Sequence, residues 1–246
     1  MPPTFPASPT GRLSVPCNWQ PRAAAEMNVV CVMEEGLPGE AQAEVTATNE
    51  NAIREKWAAS PFANQVEVTI DLVVGNAATD IVERAVMAGA DCIVLGLHNR
   101  LLPENLAIEG TLAETVISSS TLPVLLVHNE PLGPYQTAVV GIDFSPLSHA
   151  AIQAAVLIAP MVTLHLVHAY EGESDQAQMA EQRMKNVVAG ESQVFERAAL
   201  QAGLSELAVR TMAEQADPPD ALRIQIDRRG ADLLVMGTHG RTSRPI

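Results

Sequence analysis

Aromatic rings are scarce in this chain: two Trp, two Tyr and four Phe among 246 residues. A core must therefore come from Val, Leu, Ile, Ala and Met, and an apolar fraction of 47% is ample for that. Basic residues are also few, with 15 Lys and Arg against 29 Asp and Glu and a formal net charge of −14. Phosphate backbones are held by clustered Lys and Arg, so nucleic acid is excluded as a main partner. The acidic excess is the ordinary device of a soluble protein. Three cysteines, Cys17, Cys31 and Cys92, are an odd number without metal-like spacing, which argues against a disulfide framework or a zinc site. Cys92 lies within an apolar run and reads as a buried, inert thiol. No stretch of about 18 uncharged apolar residues is present, so no membrane span is expected. The opening MPPTFPASPT has no basic segment followed by an apolar one, so no signal peptide is expected and the protein reads as cytoplasmic.

What the chain does have is a motif spelled twice. Residues 89–100 read GADCIVLGLHNR and residues 230–241 read GADLLVMGTHGR. Gly89 and Gly230, Gly96 and Gly237, His98 and His239, and Arg100 and Arg241 are each separated by 141 residues. A constant offset over the whole motif identifies two copies of one α/β unit, and the length suits two domains. In each copy an apolar strand runs into a glycine turn, where open α/β sheets bind ligands.

The second copy alternates strand and helix throughout. Residues 138–143 (AVVGID) read as a strand, and Ser145-Pro146 opens a helix through about residue 160, with Ser145 as N-cap and Pro146 in the first turn. Residues 162–170 are a second strand, and 174–202 are a long helical stretch with Gly190 as its break point. Residues 207–212 are a third strand, Asp217-Pro218-Pro219 starts a helix that ends at Gly230, and 231–236 are a fourth strand. The first copy matches from its second strand: strand 28–33, helix 41–58, strand 66–74, helix 76–88, strand 90–95, helix 111–119 and strand 122–128. Near-continuous apolar strands separated by helices imply parallel sheets covered on both faces. The expected organisation is an irregular Pro-rich segment 1–27, a first domain 28–130 and a second domain 135–246. Six prolines within 1–27 exclude a central strand and a regular helix where the first copy needs them. The second copy, in turn, stops at Ile246 before a fifth strand.

The chemistry sits at the turns. In the first copy Gly96 is followed by His98 and Arg100, and then Gly110-Thr111 opens a helix. Glycines let backbone N–H groups approach an anion, a threonine hydroxyl adds a donor and a helix N-terminus adds partial positive charge. Simple helix capping by Gly110-Thr111 is the competing reading. His165 and His168 are three apart on a strand, point to opposite faces and do not chelate one ion; both read as packing residues. His128 and His149 read as surface or capping residues. No Ser-His-Asp, Cys-His or paired-carboxylate arrangement is recognisable.

These residues resemble the universal stress protein family, whose motif is a glycine, two residues, a glycine, nine residues, then Gly-Ser or Gly-Thr. The second copy also carries the family's Asp at the end of the first strand, in Gly141-Ile142-Asp143-Phe144-Ser145, and its turn in Gly237-Thr238-His239-Gly240-Arg241. The resemblance implies tandem Rossmann-like domains of the adenine-nucleotide α-hydrolase type, each a five-stranded parallel sheet in the order 3-2-1-4-5. The first would lack strand 1 and the second strand 5. It implies ATP, with Mg, as cofactor. Ile142, Asp143, Phe144 and Ala169 would then meet the adenosine, and Gly237, His239, Gly240 and Arg241, or Gly96, His98, Arg100, Gly110 and Thr111, the phosphates. The pattern departs at Asn99, which stands in place of a glycine, and at the ten residues before Gly110. Asn tolerates the left-handed geometry a turn needs. The first copy has no counterpart of Asp143, and the glycine that should follow Gly240 would fall at about residue 250. The expected function is an adenine-nucleotide-binding stress-response regulator with degenerate motifs, prone to self-association. The alternatives are a nucleotide-independent partner-binding module and a slow adenine-nucleotide hydrolase.

Overall fold

A computed structural model describes residues 26–33, 39–60, 63, 66–96, 112–127, 134–172 and 174–238. The chain divides into two compact units on either side of residues 131–132.

The first unit runs β1 (Glu26–Met33), α1 (Gly39–Ala58), β2 (Glu67–Val74), α2 (Ala77–Met87), β3 (Ile93–Gly96), α3 (Leu112–Ser119) and β4 (Val124–Val127). β1 pairs in parallel with β2 from Glu26↔Glu67 to Met33↔Val74, and β3 with β4 from Ile93↔Val124 to Gly96↔Val127. Where the resemblance implies one sheet, these strands form two separate two-stranded sheets. Among the described residues no strand lies between β1 and β3 to hydrogen-bond both. The core gathers under β3: Ala78 of α2, Ile93 and Val116 of α3 are buried, with Ile81, Val82, Ala85, Leu95, Leu122 and Val124 packed against them.

The second unit runs β5 (Thr137–Gly141), α4 (Pro146–Ile158), β6 (Thr163–Tyr170), α5 (Ser174–Gly190), α6 (Ser192–Gln201), β7 (Val209–Gln215), α7 (Pro218–Arg229) and β8 (Leu233–Val235). Its four strands form one parallel sheet in the order β7-β6-β5-β8. Ala138, Val139, Val140, Ile152, Leu164 and Leu166 are fully buried, so an aliphatic core replaces the missing aromatics. The repeated glycines do the same work in both units. Gly89 at φ 63° and Gly230 at φ 60° are left-handed, and the next N–H donates back into the helix, Ala90 to Ala85 O and Ala231 to Ile226 O. Such a helix end strongly favours glycine. The Asp two positions on behaves differently. The Asp232 carboxylate accepts from the N–H groups of Gln136 at 2.8 Å and Thr137 at 3.0 Å, pinning the start of β5, whereas its counterpart Asp91 is exposed.

Four local expectations are corrected. β5 ends at Gly141, leaving Ile142 and Asp143 in the following loop. The long helix breaks at Glu191, one residue past Gly190, where φ −97° and ψ 9° interrupt it. That carboxylate lies 2.6 Å from His149 Nδ1, so His149 ties α4 to the break instead of only facing solvent. Finally, Ser145 occupies the N-cap position of α4 but its side chain makes no capping bond.

His165 on β6 is packed as expected, only 7% exposed and with Nδ1 unpartnered among the described residues. Burial lowers its pKa, and Arg229 and Arg210 push the same way. The folded state therefore resists a proton that the unfolded chain accepts. This contribution is fully present above the unfolded pKa near 6.5 and is lost as pH falls through that value toward the lower folded one. Urea unfolding at pH 7.5 and at pH 5 should show a smaller acid loss of stability in His165→Leu than in the parent chain. Equal losses would assign the acid sensitivity elsewhere.

Candidate functional site

In an open parallel sheet the carboxyl ends of adjacent strands part where successive connections leave in opposite directions, and ligands bind in that crevice. In the second unit β5 is that strand, with β6 on one side and β8 on the other. The loop 142–145 after β5 and the turn at Gly237 after β8 flank the crevice. They approach closely: a Cβ on Gly237 would stand 2.8 Å from Leu147 Cβ in the first turn of α4. No other residue fits there without displacing α4.

The loop is built around Asp143. Its Oδ1 accepts from the Ser145 N–H at 2.9 Å and from the Ser148 hydroxyl at 2.6 Å, while its own N–H donates to Ser148 Oγ at 2.9 Å. Asp143 thus ties the N-cap residue and the first turn of α4 to the loop without capping a helix N–H. Ser145, 7% exposed, keeps a buried Oγ with no partner among the described residues. Between them Phe144 adopts φ 62°, a left-handed conformation that costs a non-glycine residue about 1–3 kcal/mol and clusters at functional sites.

The strained backbone delivers the Phe144 ring to His168 on β6, with centroids 4.2 Å apart and planes tilted by 50°. Arg183 of α5 places its guanidinium carbon 3.8 Å from the same ring's centre. His168 Nδ1 lies 2.7 Å from the Ile142 carbonyl oxygen. A carbonyl only accepts, so Nδ1 carries the proton and Nε2 presents a lone pair. Burial lowers the His168 pKa; the bond to Ile142 opposes this, Arg183 adds to it, and Asp143 opposes it.

Of the expected site residues, Ile142, Asp143 and Phe144 therefore share one loop, and Ala169 follows His168 at the end of β6, its side chain alternating to the other face of the sheet. Gly237 sits against Leu147, and Gly96 ends β3 opposite Val127 in the first unit. His98, Arg100, Gly110, Thr111, His239, Gly240 and Arg241 lie outside the described residues. The residues that sequence reasoning missed are Ser148, His168 as a polar group, and Arg183. They come from three elements with no shared spacing, so no linear pattern could have announced them. The adenosine half of an ATP site fits what is present: a buried Ser145 hydroxyl with no partner among the described residues, and a turn that only Gly237 permits. Among the described residues no group of three His, Cys, Asp or Glu is placed to hold a metal ion, and no helix is long and apolar enough to cross a membrane.

The profile of the Universal stress protein family matches residues 22–128 and again 134–244. Among solved structures, a universal stress protein from Archaeoglobus fulgidus DSM 4304 is 18% identical with TM-score 0.64, over 89% of this chain and 77% of that one. A Pseudomonas aeruginosa UCBPP-PA14 protein described as a universal stress protein is 17% identical with TM-score 0.50, over 91% and 85%. A universal stress protein in complex with cAMP is 29% identical over 42% of this chain and 76% of that one, with TM-score 0.29. A search of curated proteins finds no match.

Proposed function

The chain belongs to the universal stress protein family, matched twice in tandem, and we propose that its second unit binds adenine nucleotide in the crevice between β5 and β8. The observation that carries this reading is the Asp143–Phe144–Ser145 turn. It is strained at Phe144, holds an orphaned buried hydroxyl, and faces a glycine that cannot be replaced without moving α4. A fold has no evident reason to keep these three features at a topological switch point unless a ligand completes them. We read the two domains as 28–130 and 135–246, each derived from the five-stranded 3-2-1-4-5 sheet, and the order β7-β6-β5-β8 supports this for the second. The activity that follows is regulatory binding of ATP by a cytoplasmic stress-response module.

Titration calorimetry with ATP, AMP and GTP tests it. Weak binding that prefers adenine is expected. Asp143→Ala should weaken it by loosening the turn. Gly237→Val should abolish it and cost about 1–3 kcal/mol of stability through overpacking against Leu147. ATP affinity unchanged by both substitutions, in variants still folded by circular dichroism, would overturn the assignment.

A further inference from the structure

We propose that α5 works as a two-point clamp on the loop after β5, with Arg183 and Glu191 as positioning residues that hold residues 143–148 in the form that admits nucleotide. This rests on the nucleotide-binding reading above and adds how that site is controlled, by contacts that need not touch the ligand.

The first turn of α4 carries three contacts in a row. Leu147 meets the turn at Gly237, the Ser148 hydroxyl donates to Asp143 Oδ1 at 2.6 Å, and His149 Nδ1 lies 2.6 Å from Glu191 Oε1. An ionised carboxylate only accepts, so His149 donates. Glu191 directly follows α5 and occupies the N-cap of α6, yet its side chain makes no capping bond there. Asp, Asn, Ser and Thr are the residues that suit a cap, and a buried carboxylate is costly unless it is paired. Glu191 is 6% exposed, and its carboxylate is directed across to His149 on α4. Arg183 is the second point. It lies eight residues earlier in α5, roughly 12 Å along a helix, and its guanidinium carbon stands 3.8 Å from the centre of the Phe144 ring. Phe144 is the residue whose φ of 62° needs holding, since a strained backbone persists only where its surroundings over-determine it. The helix thus grips both flanks of the loop, at Phe144 and at His149, and the Asp143–Ser148 bond closes the stretch between. A loop that is competent for only part of the time lowers apparent affinity by that fraction.

The full-length protein is compared at pH 7.5 as the parent chain, His149→Ala, His149→Asn and Arg183→Met. His149 and Arg183 are not buried, so these replacements leave the core untouched. Asn places an amide N–H about where Nδ1 stands. One readout is hydrogen exchange at the Asp143 and Ser145 amides, which donate to Ser148 Oγ and Asp143 Oδ1; the other is ATP affinity by calorimetry. His149→Ala and Arg183→Met should each speed exchange at these two amides by about tenfold, the measure of one lost contact. Each should also raise the ATP Kd by roughly three- to tenfold. His149→Asn should restore both readouts, and exchange in the middle of α4, at Ala155, should not change. A merely structural His149 would lower Tm and speed exchange along α4 and β5 alike, with no rescue by Asn; that result overturns the proposal. Loop amides or an ATP Kd unmoved by His149→Ala and Arg183→Met overturn it too, while leaving nucleotide binding intact. If the parent chain binds no ATP, the nucleotide reading falls and the clamp's role in affinity falls with it, even where the loop amides respond.

Discussion

Leu166→Ala should destabilise the second unit by about 2–5 kcal/mol, the range for removing a buried leucine from a core that cannot collapse around the gap. Leu166 is 0% exposed on β6, with strands paired on both sides, Val140 on β5 and Thr211 on β7. A side chain in the middle of a doubly covered parallel sheet has its neighbours held by ladder hydrogen bonds, so the cavity stays open. Domains of this size are stable by about 5–15 kcal/mol, so this one truncation removes a large share. Urea unfolding followed by circular dichroism is the measurement, with Val94→Ala on β3 as a half-exposed control expected to change little. A loss below about 1 kcal/mol would mean that α4 and α5 shift to fill the space, a softer core than the packing implies. In the first unit the fully buried aliphatic set among the described residues is much smaller, with Val116 at its centre. Its unfolding should come first on heating.

The repeat was the most legible part of the molecule, and its physical meaning varies along the motif. Gly89 and Gly230 keep the same left-handed helix end, so identity of residue there reports identity of backbone. Asp91 and Asp232 are equally well matched in sequence, yet among the described residues Asp232 holds a strand start while Asp91 is exposed. The apolar strands and the helix starts at Asn76, Pro146 and Pro218 were legible because period, caps and prolines are local signals. Strand ends moved by a few residues because a carbonyl's partner on the next strand, not its own side chain, decides where a ladder stops. Of the candidate site, Asp143 and Gly237 stand out in the sequence, whereas the contacts of His168 and Arg183 do not. The first two belong to a local motif; the others meet Phe144 only because β6 and α5 fold over the loop. The capping bond expected of Ser145 is absent, the Ser148 N–H in the first turn donating to the Ser145 carbonyl instead of its hydroxyl.

Self-association through β8 is the expected behaviour of the chain in solution. Among the described residues β8 pairs only with β5, and no other strand hydrogen-bonds its second edge. The repeat shows what normally covers such a strand. Ile93 on β3 is 6% exposed beneath Val116 of α3, with β4 hydrogen-bonded alongside, whereas its counterpart Leu234 is 43% exposed and Met236 is also bare. Neither Lys nor Pro interrupts β8, the usual devices that blunt an edge. Burying a leucine contributes about 1.5–3 kcal/mol, which is roughly ten- to a hundredfold in an association constant. Leu234→Lys should therefore weaken self-association by at least about tenfold while leaving the fold intact, since that side chain is already half in water. Light scattering against concentration, with sedimentation velocity on the same samples, gives the comparison. A parent chain that is monomeric and cooperative at all concentrations would show that the β8 edge is already covered, and Leu234→Lys would then destabilise the protein instead of dispersing it.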